Sequence, residues 1–355
     1  MTPTIPVFDG HNDLLLRLER APERREEIFL KRGLEGHLDL PRMREGGFAG
    51  GLFAIYVPSP PDPDAPDLFA LMEHPPYEVP LPAPVPASEA LHIAIAAAAQ
   101  MLWMERVSEG GFAVCRTAAV IRAAMERGAV AGVIHMEGAE AIAEDLDALH
   151  VLHALGLRSL GPVWSRPTIF GDGVPFRFPG TPDTGAGLTE AGKALVRECN
   201  ALGILIDLSH LNEKGFDDIA RISTAPLVAT HSNAHALCAS PRNLTDRQLA
   251  QIAESGGMVG LNFATFFLRE DGKGAADCGL EPMVRHIDYL IGKLGEDHVG
   301  FGSDFDGCVV PAAIGDVTGL PRLFEALRVH DFDNNLLQKL AYRNWIATLE
   351  NIIGA

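Results

Sequence analysis

The sequence predicts a closed (β/α)8 barrel, a TIM barrel of the α/β class, and three observations carry that expectation. Short β-like runs alternate with longer helical patterns from one end of the 355 residues to the other. Eight such runs occur, most of them continuously apolar, as parallel strands buried on both faces must be. No G-x-G-x-x-G turn follows the first run, which counts against an open doubly wound sheet.

In chain order the expected strands are Ile5–Asp9, Gly51–Val57, Val130–Met136, Ser159–Val163, Leu205–Leu208, Leu227–Thr230, Met258–Asn262 and Val299–Gly302. Helical segments are expected at Ser88–Ser108, Thr117–Arg127, Leu188–Leu202, Asp246–Glu254 and Glu281–Leu294, with Thr189 and Thr245 placed to cap two of them. One barrel domain over residues 1–355 accommodates all of this. A single stretch breaks the pattern: residues 58–86 hold eleven of the 25 prolines and are expected to form no helix. Following the second strand, this insertion falls on the catalytic face of a barrel, as a lid, a dimer contact or a solvated loop.

Composition narrows the function. Hydrophobic residues make up 47% and charged residues 21%, so the chain is globular. Its 47 acidic and 29 basic residues give a formal charge of −18, which opposes nucleic-acid partners and anionic membrane surfaces. The first residues lack the basic and apolar regions of a signal peptide. The apolar stretch Ala90–Met104 carries His92 and Gln100 and is shorter than the ~20 residues a bilayer span needs. A cytoplasmic protein is the resulting expectation. Cys115, Cys199, Cys238, Cys278 and Cys308 are odd in number, widely spaced and without a C-x-x-C pair, so reduced thiols are expected.

The chemistry stands at the carboxyl ends of the strands, where barrel active sites form. Strand one ends in Asp9-Gly10-His11-Asn12-Asp13 and strand three in His135-Met136-Glu137-Gly138. Strand five leads into Ser209-His210, strand six into His231-Ser232, and strand eight into Ser303-Asp304. Five strands thus deliver His, Asp or Glu to one rim. His11 and Asp13, two apart in an extended segment, point to the same side. Imidazole and carboxylate together suit Zn²⁺ at about 2.0–2.2 Å. Glu137 offers two oxygens and can bridge ions about 3.5–4 Å apart, leaving His210 and His231 for the second. A hydroxide shared by two such ions would attack, with Asp304 as general base. Each motif alone is a weak signal; the ordered set is not.

Asp-Gly-His-Asn-Asp near the N-terminus, Glu-Gly after the third strand, Ser-His, Thr-His-Ser and Ser-Asp-Phe-Asp-Gly together resemble the membrane (renal) dipeptidase family, metal-dependent amidohydrolases on a (β/α)8 barrel. The resemblance runs from about Val7 to the C-terminal helix. It implies two zinc ions per chain, His11, Asp13 and Glu137 on one and Glu137, His210 and His231 on the other, with Asp304 as proton shuttle. It further implies a small dipeptide substrate and allows a homodimer. The segment from His231 to Asn243 resembles the family stretch whose arginine binds the substrate's terminal carboxylate, which assigns Arg242 that role. The other reading of Arg242 is a surface pair with Asp246.

One departure concerns strand four, where the family places a histidine that steadies the tetrahedral intermediate. Here the segment reads Ser159-Leu-Gly-Pro162-Val-Trp-Ser-Arg166, and Pro162 takes the histidine's expected position. Arg166, Asp172 and His235 are the polar residues nearby. Dipeptide hydrolysis leads the expectations; cleavage of another amide or a lactone, and a binding barrel without activity, are the alternatives.

Overall fold

The computed structural model describes residues 5–60 and 67–355. Eight strands form the barrel: β1 (Val7–Asn12), β2 (Phe48–Tyr56), β3 (Val130–Glu137), β4 (Leu157–Gly161), β5 (Leu205–Ile206), β6 (Val228–Ala229), β7 (Met258–Leu261) and β8 (Val299–Phe301). They hydrogen-bond in the order β5-β4-β3-β2-β1-β8-β7-β6, all parallel, and a parallel bridge between Asp207 and Val228 brings the two ends together. A short accessory strand, Phe112–Val114, pairs with β3.

The intervening helices follow the expected segments within a residue or two: Ala87–Val107, Ala118–Glu126, Glu190–Leu202, Asp246–Glu254 and Glu281–Leu294. Thr189 accepts from Gly192 N, and Thr245 forms a reciprocal capping box with Gln248. Both expected caps are present.

Strand alternation sorts the side chains into two cores. Phe53, Ile55, Ile134 and Met136 join the large cluster that includes residues of the surrounding helices. Phe8, Leu52, Ala131, Val133, Leu205, Val228 and Met258 form a second cluster with Trp345, whose indole N–H donates to Phe301 O at 2.8 Å. Leu52, Ala54 and Tyr56 therefore share a face with their register partners Val133, His135 and Glu137.

The strand ends differ from the expected ones for local reasons. β1 continues to Asn12 because Asn12 Nδ2 donates to Leu52 O at 3.1 Å and Asn12 bridges to Phe305. β5 ends as a continuous strand at Ile206; Asp207 keeps a single bridge to Val228, and its carboxylate collects Ser209 N (2.9 Å) and Thr230 N (2.8 Å) where the chain turns.

Within the proline-rich stretch, residues 61–66 lie outside the described residues. Beyond them the expectation of no helix is corrected. Leu68–Met72 forms a short helix, capped by Asp67, in a segment that happens to be free of proline. Tyr77–Glu78 pairs antiparallel with Arg177–Phe178, and Gly274 N donates to Met72 O at 2.7 Å, so the segment is tied to the body of the barrel.

Candidate active site and metal centre

The five expected ligands meet at the carboxyl end of the barrel. Glu137 Oε1 lies 2.9 Å from His210 Nε2, 3.4 Å from His231 Nε2 and 3.6 Å from His11 Nε2. His11 Nε2 is also 3.4 Å from Asp13 Oδ2. Donor atoms of His11, Asp13 and Asp304 fall within 4.8 Å of one another, as do those of His11, Glu137 and His231. All are buried except Asp304, which is partly open to the cavity.

Neighbouring hydroxyls aim the imidazoles. Thr230 Oγ1 donates its one proton to Asp207 Oδ2 at 2.6 Å, so at 2.8 Å it must accept from His231 Nδ1–H. That assignment leaves the Nε2 lone pair directed at Glu137. Ser165 Oγ lies 2.8 Å from His210 Nδ1 and steadies the second ring. Such outer contacts orient metal-ligating histidines. Burial pushes both His210 and His231 well below the usual imidazole range, and nearby cations (Arg242 for one, His11 for the other) add to it, so both are neutral and able to ligate.

His11 differs. Burial alone would lower its pKa, but Glu137 and then Asp13 outweigh it and raise it to about 10. Both its ring nitrogens are buried without a hydrogen-bond partner. Burial drives Glu137 well above the carboxylate range. Three carboxylates, three imidazoles and one guanidinium thus share a desolvated space whose field favours added positive charge. Two residues accept backbone strain to be there, His210 at φ 68° and Asp304 at φ 60°. A Cβ on Gly307 would collide with the carboxylates of Asp13 and Asp304, so only glycine closes this loop.

Asp304 Oδ2 accepts from Asn262 Nδ2 at 2.9 Å, and burial followed by the Asp13 charge raises its pKa to about 6. Arg242 is 3% exposed, donates to His231 O at 3.1 Å and lies 5.2 Å over the Phe267 ring. The surface reading of Arg242 is excluded, since Asp246 pairs instead with Lys293 (2.6 Å) and Tyr289 (2.7 Å).

These groups border a cavity of about 290 Å³ whose walls include Tyr56, Leu68, Phe69, Met72, Trp164 and Phe176. The proline-rich insertion is thereby a cavity wall. From the end of β4 the side chain facing the cavity is Trp164, not Pro162, whose carbonyl is occupied by Thr168 Oγ1 at 3.0 Å. Arg166 is committed to Glu140 Oε1 (2.8 Å), Val57 O (2.7 Å) and Ser59 Oγ (2.9 Å). His235 meets Gly180 O at 2.8 Å, and Asp172 accepts from Ala186 N at 2.9 Å. None of these three is a spare donor for chemistry. The sequence reading passed over Ser165, Asp207, Asn262 and Tyr56. Tyr56 had a signal in its parity with Leu52 along β2, and Asn262 in closing the expected seventh strand.

Comparison with known proteins agrees with this geometry. Residues 1–352 match the family model for membrane dipeptidase, peptidase family M19. The chain belongs to the membrane dipeptidase family. This dipeptidase superposes on a metallo peptidase of Rhodobacter sphaeroides, crystallised with a phosphinate mimic of the dipeptide L-Ala-D-Ala, with a TM-score of 0.97. The two are 65% identical over 99% of this chain and all of that one. An uncharacterised Klebsiella pneumoniae protein from the pqqA 5′ region is 52% identical over 69% of this chain and 90% of its own length. Another, from the PQQ-III 3′ region of Acinetobacter calcoaceticus, is 40% identical over 82% and 90%. The dipeptidase is a metal-dependent hydrolase of dipeptides on a TIM barrel. No helix among its described residues is long and apolar enough to cross a membrane.

Proposed function

We propose that this dipeptidase cleaves dipeptides with a free C-terminal carboxylate at a centre of two zinc ions, one held by His11, Asp13 and Glu137, the other by Glu137, His210 and His231. One observation carries the reading: three imidazole Nε2 atoms converge on a single carboxylate oxygen of Glu137, at 2.9, 3.4 and 3.6 Å. The set holds nitrogen and oxygen donors without thiolate, which suits zinc in a hydrolytic site. Bound there, the metal would acidify water and polarise an amide carbonyl.

The chain's own groups supply the rest. Asp304, steadied by Asn262 and with a pKa raised to about 6, takes the proton of the attacking water and returns it to the departing amine. Arg242 keeps Nε buried and without a partner and receives the substrate carboxylate on its guanidinium. The apolar wall formed by Phe69, Trp164, Phe176 and Phe267 excludes water and accepts small side chains. The ligand of the Rhodobacter relative makes dipeptides with a D-configured C-terminal residue the first to assay.

Metal analysis of the purified enzyme tests the centre. About two zinc per chain are expected, as a bridged pair requires. Chelation should end hydrolysis while far-UV circular dichroism persists, because the barrel core does not depend on metal. Full activity with one metal or fewer would overturn the bridged arrangement.

A further inference from the structure

One side chain beside the centre has no part in the scheme above. Tyr56 closes β2 and is the register partner of Glu137 across the β2–β3 ladder. Register partners on parallel strands face the same side at a spacing of about 4.8 Å. Leu52, four residues earlier on β2, lies in the inner cluster, so alternation turns Tyr56 toward the cavity, where it lines the wall with Glu137, Trp164 and His210.

The ring is fixed on two sides. Trp164 packs edge-on at 5.1 Å between centroids, and the Arg166 guanidinium carbon lies 5.9 Å from the ring. Arg166 is itself anchored by Glu140, Val57 O and Ser59. The hydroxyl, by contrast, has no hydrogen-bond partner among the described residues. As a phenol, with an ordinary pKa of about 10, the group carries its proton at neutral pH. It is an immobilised donor at the edge of a cavity whose β4 wall offers the indole of Trp164 and no histidine.

We propose that the Tyr56 hydroxyl donates a hydrogen bond to the carbonyl oxygen of the scissile amide and strengthens that bond as the oxygen gains negative charge. The proposal rests on the site reading given above. A preorganised donor aimed at a developing oxyanion accelerates the chemical step without tightening ground-state binding.

The test is Tyr56→Phe in the metal-loaded enzyme, which preserves the ring and its packing. Loss of such a donor should lower kcat by about 10²–10³-fold with KM within about threefold of wild type. Affinity for a phosphinate dipeptide analogue, tetrahedral at phosphorus, should weaken by the same factor as kcat/KM, with metal content and Tm retained. Unchanged kcat and unchanged phosphinate affinity would overturn the proposal. Trp164→Phe serves as the second variant, since it removes the indole N–H; a larger loss in phosphinate affinity there than in Tyr56→Phe would assign the donor to Trp164 and also overturn it. Failure of the underlying reading looks different, because the wild type itself would then lack bound metal or dipeptide hydrolysis.

Discussion

Arg166 and Glu140 form an ion pair at 2.8 Å in which neither side chain is more than 1% exposed. The pair ties the end of β4 to the loop after β3 and, through Val57 O and Ser59, to the start of the proline-rich insertion. Burial raises the Glu140 pKa, with the Arg166 charge pulling against it. Removing one partner of such a pair strands the other without water or counter-charge, whereas removing both strands neither.

Arg166→Ala should therefore destabilise the protein by about 3–5 kcal/mol. The double variant Arg166→Met, Glu140→Gln should recover at least half of the lost unfolding free energy. Denaturant titration of the wild type, Arg166→Met, Glu140→Gln and the double variant closes the thermodynamic cycle, with Arg166→Ala measured beside it. A wild-type midpoint for Arg166→Ala would refute the anchoring role.

Asp304→Asn keeps the shape of the side chain and removes its basicity. With metals retained, kcat should fall roughly 10²–10⁴-fold, the range of a lost general base. Steady-state kinetics beside metal analysis separates the roles. If both metals leave with the substitution, Asp304 is a ligand first and the proton carrier lies elsewhere.

Arg242→Met tests carboxylate recognition. Dipeptide kcat/KM should drop by about 2 kcal/mol of transition-state binding or more, the scale of a charged hydrogen bond. A dipeptide amide, lacking the carboxylate, should be a poor substrate for the wild type and lose little further in the variant. Equal losses on the two substrates would count against the pairing.

His286 supplies a pH dependence away from the centre. Ala234 N donates to its Nδ1 at 3.1 Å and its Nε2 meets Leu268 O at 3.0 Å, so the neutral ring uses both nitrogens. Burial lowers its pKa to about 4, the Leu268 contact opposing and the Arg285 charge adding to it. The unfolded chain, with an ordinary imidazole pKa of about 6.5, binds the proton more readily. The stabilisation is complete above about pH 6.5, is lost as the pH falls toward about 4, and changes no further below that. Relative to His286→Gln, the wild type should thus lose about 2–3 kcal/mol between about pH 7 and about pH 4.5. Parallel stability curves for the two proteins would exclude the assignment.

The chain order of its strand-end residues makes the centre legible in the sequence. His11, Asp13, Glu137, His210, His231 and Asp304 each follow a recognisable apolar run, and a parallel barrel brings every such terminus to one rim. The inward face of Tyr56 is legible in the same way through its parity with Leu52, because alternation is a property of the strand alone. Helix caps at Thr189 and Thr245 are equally local.

Tertiary structure decided the partners. Arg166 stands six residues from Asp172 in the chain, yet it binds Glu140 across the gap between β3 and β4. Arg242 turned inward, and Asp246, four residues on, was taken by Lys293 from another helix. Trp164 rather than Pro162 faces the cavity because the chain turns out of β4 at Gly161 before either is reached. Sequence patterns report which face of an element a residue occupies, since strand and helix periods act over a few residues. The choice of a hydrogen-bond or ion-pair partner depends on distances of a few ångströms, and those exist only once the barrel closes.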